Sequence, residues 1–161
     1  MKLVRKNKKG DLQINWICLR DKCAKNCCGA FEDPLPNFVS IEGQERYEIE
    51  VLPNEIKKLK NDCKDCIKSN ADKGKSYMNL YKDHTCVLLK NGMCSKYEKR
   101  PSVCRSYPFY IDLFSGLNID NSCPGVKKGW TNVSDLHINL SSLIKLYKSH
   151  IKNIEKKYVR K

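Results

Sequence analysis

The residues of this chain most able to do chemistry are its thiols. Ten cysteines occur in 161 residues, and eight of them fall in and around two clusters. Cys18, Cys23, Cys27 and Cys28 lie within eleven residues near the start; Cys86, Cys94 and Cys104 follow in mid-chain, with Cys123 beyond them before Pro124-Gly125. Thiolates converging within ~2.3 Å of one ion hold zinc or iron firmly, and short loops bring them together at little entropic cost. Neither cluster has the CxxC…CxxC spacing of a zinc ribbon, and the first lacks the CxxCxxC run of bacterial ferredoxins. The density of thiols therefore carries the metal reading, rather than any single spacing. Neighbouring side chains on extended backbone point to opposite sides, so adjacent Cys27 and Cys28 read as serving two metals, or one metal and the core. Eight thiolates would satisfy two four-coordinate sites, or one cluster and one mononuclear site.

Disulfides are the rival use of so many cysteines, and the redox compartment decides between the two. The first ten residues are basic but no apolar run follows them, and nowhere do ~18 apolar residues occur in succession. The expectation is a cytoplasmic protein with no membrane partner, whose thiols are free or on metal. Cys63-x2-Cys66 stands outside the core set; a zinc half-site, a redox pair and two unremarkable helical cysteines all fit it, and without a βαβ pattern around it a thioredoxin-like role does not. His84 lies two residues before Cys86, close enough to ligate or to hydrogen-bond a ligand, although a solvent-exposed loop histidine is the commoner outcome. His137 and His150 read as surface residues. Arg100 and Arg105 flank Cys104 in sequence and offset thiolate charge or clamp an anion, the former being the simpler role. No Ser-His-Asp order, P-loop, GxGxxG or HExxH is present; no catalytic residue is assigned, and whether the chain is an enzyme stays open.

The net charge is +13, from 31 basic and 18 acidic residues. Lysines are scattered and few aromatics are interleaved with them, so a solvated basic surface is the plain reading, with a nucleic-acid or protein partner as the alternative.

The elements that must position these thiols are short. The pattern predicts a basic arm over 1–15, poorly ordered or packed at an edge, and a cysteine-dense loop from Trp16 to Gly29. Residues 34–45, with Pro34, Pro36 and Gly43, read as connection, and residues 47–51 as a short strand. A helix opens at Pro53, carries Ile56, Leu59 and Cys63 on one face and fades at Ser69-Asn70; residues 70–82 read as a flexible link. Thr85–Leu89 is a strand, Lys90-Asn91-Gly92 a turn and Met93-Cys94 the return; a second hairpin spans 109–119. The tail is a long helix capped by Ser134 or Asp135, with Leu136, Leu140, Leu143, Ile144, Tyr147, Ile151, Ile154 and Tyr158 as one core-facing stripe. The organisation expected is therefore an arm over 1–15, a cysteine-cluster domain over 16–126 and a C-terminal amphipathic helix over 127–161 packed on it. The class is α+β: a small single domain with irregular cysteine-rich loops, short β-hairpins and a long C-terminal helix.

The order of these motifs resembles a known family. A cysteine stretch ending in Cys27-Cys28, then Cys86-Val87-Leu88-Leu89, then the run from Gly92-Met93-Cys94-Ser95 through Tyr97-Glu98-Lys99-Arg100-Pro101-Ser102-Val103-Cys104-Arg105-Ser106-Tyr107-Pro108, and finally Cys123-Pro124-Gly125, is similar to the YkgJ-like cysteine-cluster family of zinc- or iron-chelating domains. Members are often labelled iron–sulfur oxidoreductases, and related clusters occur in flagellin lysine N-methylases. The resemblance covers roughly residues 16–126. It departs at Cys18 and Cys23, which have four residues between them where the family commonly has two, and it does not extend to Cys63 or Cys66. It implies metal binding through Cys18, Cys23, Cys27, Cys28, Cys86, Cys94, Cys104 and Cys123. The reading is of an iron–sulfur centre (4Fe–4S) or iron with a redox or protein-modification role; the alternative is a structural zinc module presenting a basic surface to a nucleic-acid or protein partner.

Overall fold

A computed structural model describes residues 2–23, 27–28, 40–45 and 47–160. In chain order the elements are β1 (Val4–Lys6), β2 (Leu12–Trp16), β3 (Glu50–Val51), α1 (Pro53–Asp62), β4 (Ile67–Asn70), β5 (Lys75–Met78), β6 (Leu89–Lys90) and β7 (Met93–Cys94). They continue with α2 (Ser102–Ser106), β8 (Phe109–Asp112), β9 (Gly116–Ile119), β10 (Val126–Asn132) and α3 (His137–Ile154). The class is α+β with short antiparallel strands and a long C-terminal helix, as the sequence predicts. Gly29, Pro34 and Pro36, at the end of the expected cysteine loop and in the expected connection, lie outside the described residues. Two compact units are formed, one by residues 1–27 and 105–161, the other by residues 28–104.

The first unit is built on a three-stranded sheet ordered β1-β2-β10. The residues expected as an arm supply its edge strand and central strand: Val4, Arg5 and Lys6 pair with Ile14, Gln13 and Leu12. On the other side of β2, Thr131 and Asn132 pair with Ile14 and Gln13, and the register shifts between Val126 and Trp130. Trp16, Phe109, Val126, Leu136 and Leu143 form the core. The Trp16 and Phe109 rings meet edge to face at 5.1 Å, a favoured aromatic geometry. The 109–119 hairpin is present in the expected place as β8 and β9, with Ile111 opposite Leu117.

The long helix is where the sequence reading needs correction. A 3₁₀ turn over Val133–Leu136 precedes α3, so neither Ser134 nor Asp135 caps it, and Leu136 holds the N-cap position. Leu136, Leu143 and Leu146 are buried, but Ile144 (48% exposed), Ile151 (45%), Ile154 (50%) and Tyr158 (50%) are not. Residues spaced by three and four share one helix face, and two such faces coexist here. The core takes the leucines, while half of the predicted stripe (Ile144, Ile151, Ile154 and Tyr158) faces solvent.

The second unit carries a sheet ordered β3-β5-β4. Residues 70–82, expected as a flexible link, instead contain β5 and the tight turn before it. Gly74, at φ +61°, closes that turn with its N–H donating to the Ala71 carbonyl, a conformation that favours glycine. Tyr77 and Met78 are fully buried, and Lys75 sits between Glu42 (2.8 Å) and Glu50 (3.3 Å). Helix α1 opens at Pro53 as predicted but ends at Asp62, leaving Cys63 as its C-cap rather than on its apolar face. The predicted strand over 85–89 shrinks to a Leu80–Cys86 bridge and β6. β6 returns as β7 through Asn91 and Gly92, at φ +50° and +75°. Positive φ at both central positions is what an Asn-Gly hairpin turn supplies.

Candidate metal centre

The eight cysteines divide evenly. Cys18, Cys23, Cys27 and Cys123 belong to the first unit, and Cys28, Cys86, Cys94 and Cys104 to the second. The chain passes between the units at the Cys27–Cys28 and Cys104–Arg105 peptide bonds, so the adjacent pair is shared out, one thiol to each.

In the second unit Cys28, Cys86 and Cys94 are tied together. The Cys86 amide donates to the Cys28 carbonyl at 3.0 Å, and the β6–β7 hairpin that carries Cys94 starts directly from Cys86, whose carbonyl accepts from Leu89. The Cys28 and Cys94 thiols are hydrogen-bonded. That bond pulls Cys94 down to about 6 against the opposing effect of burial, helped by the Lys96 backbone N–H and the Arg100 guanidinium. Cys94 is thus poised as a thiolate, the form that binds metal. Arg100 is fixed in turn, its Nε donating to the Tyr97 carbonyl at 2.8 Å and its guanidinium lying 3.5 Å from the Tyr97 ring centroid. Arg100 therefore offsets thiolate charge at Cys94, the neighbour that sequence distance alone did not suggest.

Cys104 is buried on the short helix α2, anchored by a residue the sequence reading missed. Glu55 accepts from the Ser102 amide (3.0 Å) and hydroxyl (2.6 Å), and its second oxygen accepts from the Leu52 amide (3.3 Å). One carboxylate thereby caps α1 and also ties down the start of the Cys104 helix. A Pro53-x-Glu55 helix start was the available signal; its use of Ser102, 47 residues on, was not.

In the first unit Cys123 is held by Trp16, whose indole N–H donates to its sulfur at 3.4 Å. Burial raises the Cys123 thiol above its ordinary range, opposed by that indole and the Gly125 amide, with Cys18 near enough to add to the rise. Burial likewise raises Tyr107, and Cys123 and Cys27 both act on it. Cys18, Cys27 and Cys123 therefore share one neighbourhood around Tyr107 and Trp16. Cys23 follows a 3₁₀ turn over Arg20–Lys22, with Arg20 at φ +51° and the Cys23 amide bonded to its carbonyl at 3.1 Å. That turn accommodates the extra residues between Cys18 and Cys23. Gly125 explains itself sterically: a Cβ there would lie 2.0 Å from the Ile17 carbonyl oxygen and 3.1 Å from the Trp16 indole nitrogen.

Two other candidates fall elsewhere. The His84 ring stacks on Tyr47 at 3.9 Å. Cys66 is fully buried and donates to the Cys63 carbonyl at 2.9 Å; burial, then the Cys63 thiol, push it up to about 12. A thiol held protonated so far above neutrality is a weak ligand and nucleophile. Among the described residues no three Cys, His, Asp or Glu side chains are closed to metal-ligand geometry. As donors, the two sets nevertheless fit a thiophilic metal: sulfur ligands that are buried or half-buried except for the exposed Cys18, with N–H groups and a guanidinium close to some of them.

The motif order and this donor chemistry mark a cysteine-cluster metal-chelating protein. The chain belongs to the CxxCxxCC family, described as a putative zinc- or iron-chelating domain, whose model matches residues 17–124. No curated protein and no solved structure matches it. Metal binding through cysteines is thus supported by family and by chemistry alike, and among the described residues no helix is long and apolar enough to cross a membrane.

Proposed function

We propose that the chain holds metal in two thiolate sets, Cys18, Cys23, Cys27 and Cys123 in one unit and Cys28, Cys86, Cys94 and Cys104 in the other, with iron as the metal and an iron–sulfur cluster (4Fe–4S) in at least one set. The observation that carries this reading is the even division of the cysteines, because four thiolates are what one tetrahedral ion or one cluster requires. Hydrogen bonds to sulfur and nearby positive charge favour the reduced, more negative state of a cluster. Trp16 at Cys123 and Arg100 at Cys94 supply one of each. A bound cluster would supply one-electron transfer. The chain's own residues would hold it, limit water around the buried sulfurs and set its potential.

Anaerobic purification followed by absorbance and analysis for iron, sulfide and zinc tests the reading. A brown protein absorbing near ~400 nm, with matched iron and sulfide, is expected. Cys94→Ser should then remove the metal of one set and leave that bound through Cys123. A colourless chain with two zinc ions would overturn the cluster and make the domain a structural zinc module. Loss of all metal in Cys94→Ser, with the fold retained, would overturn the division into two sets.

A further inference from the structure

Charge is not spread evenly over this molecule. The unit made of residues 1–27 and 105–161 carries eighteen basic and six acidic residues, a net +12; the unit of residues 28–104 carries thirteen and twelve, a net +1. Four thiolates on a divalent ion would subtract only about two charges from the first figure. Because the basic unit is assembled from both ends of the chain, the segregation is invisible along the sequence, where lysines merely look scattered.

Several lysines of the near-neutral unit are held in ion pairs, whereas among the described residues those of the β1–β2 hairpin are not. In the near-neutral unit Lys73 pairs with Glu48, Lys75 with Glu42 and Glu50, and Lys99 with Asp62. In the basic unit an ion pair joins Arg160 to Glu155, at the far end of the chain from the β1–β2 hairpin. Around the β1–β2 hairpin a cavity of about 510 Å³ is lined by Arg5, Lys6, Lys8 and Lys9 together with Asn7, Asp11, Gln13 and Asn132. Its one carboxylate, Asp11, is engaged by the Asn7 side-chain amide at 2.9 Å. Among the described residues none of the three lysines has an acidic partner.

Arg5 is built into this cavity rather than loose upon it. Its Nε donates to Gln13 Oε1 at 3.0 Å, Gln13 Nε2 donates to Asn132 Oδ1 at 2.9 Å, and its guanidinium carbon lies 3.9 Å from the Trp130 ring centroid. A guanidinium backed by an indole is a preorganised plane on which a base can stack, and a fan of unpaired lysines beside it suits a phosphodiester backbone. The residues lining the cavity are polar or charged, and side-chain amides stand beside the plane where base edges would lie.

We propose that the β1–β2 hairpin of the basic unit is a binding site for single-stranded nucleic acid, with Lys6, Lys8 and Lys9 on phosphates and Arg5, stacked on Trp130, as the platform for a base. The partner is identified by this combination: a polyanion with an exposed aromatic face. Duplexes hide their bases and anionic lipids have none.

Fluorescence anisotropy of the metal-loaded full chain with a labelled twelve-nucleotide oligo(U) tests this. Wild type is expected to bind with an affinity that falls as salt rises. Lys6→Ala/Lys8→Ala/Lys9→Ala should weaken binding roughly tenfold at low salt and flatten the log–log salt slope by about 2, since each phosphate contact on a single strand contributes about 0.7. Arg5→Lys should weaken binding while leaving the slope unchanged, which separates stacking from charge. Lys57→Ala/Lys58→Ala/Lys60→Ala, an equal loss of charge from exposed α1, should leave affinity within about twofold of wild type. Circular dichroism and metal content report whether each variant is folded. The proposal is overturned if the oligonucleotide does not bind, if the two triple variants lose affinity equally, or if vesicles of anionic lipid bind through the hairpin lysines and the oligonucleotide does not.

Discussion

Gly125→Ala is a one-carbon change, and its cost follows from geometry. Gly125 is not at positive φ, so backbone conformation would not exclude alanine. The obstacle is the Ile17 carbonyl oxygen, 2.0 Å from the position of the new Cβ. The two strands cannot simply part, because Ile17 N–H donates to the Gly125 carbonyl at 3.2 Å, Thr131 Oγ1 to the Trp16 carbonyl at 2.6 Å and Trp16 Nε1 to Cys123 at 3.4 Å. Overpacking costs about 1–3 kcal/mol and a lost hydrogen bond about 1, so roughly 3 kcal/mol in all is expected. For a chain of this size that lowers Tm by roughly 6–12 °C. Gly129→Ala is the control: its Cβ would meet only side-chain atoms of Ile17, at 3.0 and 3.3 Å, which can turn aside. Its loss should stay under about 3 °C. Thermal melts of the metal-loaded proteins by circular dichroism read both. The reasoning is refuted if Gly125→Ala melts within about 2 °C of wild type, or if Gly129→Ala is the more damaging change.

Three further outcomes follow from individual contacts. Glu55→Ala leaves the Ser102 amide and hydroxyl without their acceptor and should cost about 3 kcal/mol in urea denaturation, with Glu55→Gln recovering part of it. In the metal-free chain, alkylation by iodoacetamide should be half-maximal near pH 6 at Cys94, while Cys66, held up to about 12, stays unlabelled at neutral pH; Arg100→Gln should move the Cys94 midpoint upward, and a midpoint near 9 in wild type would contradict the geometry. Burial pulls Lys75 down, but Glu42 and Glu50 more than compensate and hold it above its ordinary 10.5. The stability it contributes is fully present below pH 10.5 and is lost as pH rises through the raised value; urea midpoints between pH 9 and 12 should fall more steeply in wild type than in Lys75→Gln.

What could be read from the sequence was what short stretches decide for themselves. Asn91-Gly92 dictates a tight hairpin, and Pro53 starts a helix. The β4–β5 hairpin escaped because Ser69-Asn70-Ala71-Asp72-Lys73-Gly74 has the composition of a loop, and its strands are fixed by burial of Tyr77 and Met78 and by ion pairs from Glu42, Glu48 and Glu50. The helix stripe was misassigned for a different reason. α3 has more apolar residues than one face needs, and periodicity cannot say which face meets the core. The contacts that organise the cysteines were beyond any local pattern: Trp16 to Cys123 spans 107 residues and Glu55 to Ser102 spans 47. Thiol density identified the ligand chemistry, but only the fold distributes those thiols between the two units.

That distribution bears on why two cysteines stand side by side. On the proposed two-set reading each of the pair serves its own set: Cys28 bonds to Cys86 through its carbonyl and to Cys94 through its thiol, while Cys27 acts on Tyr107, as does Cys123. The second passage between units, at Cys104–Arg105, also falls at a cysteine, and the Arg105 carbonyl accepts from Asn139 Nδ2 of α3 at 2.7 Å. On that proposed reading a chain that changes unit at Cys27–Cys28 and at Cys104–Arg105 needs no linker to supply both sets, and an inserted residue at either crossing should do more harm than one in a surface turn. One glycine placed between Cys27 and Cys28 is therefore expected to cost at least one equivalent of metal. The same insertion beside Gly74, in the β4–β5 turn, should cost none, since loop lengthening by a residue adds only a few tenths of a kcal/mol. Equal metal content in the two insertion variants, measured by elemental analysis after anaerobic purification, would refute a role for the adjacency.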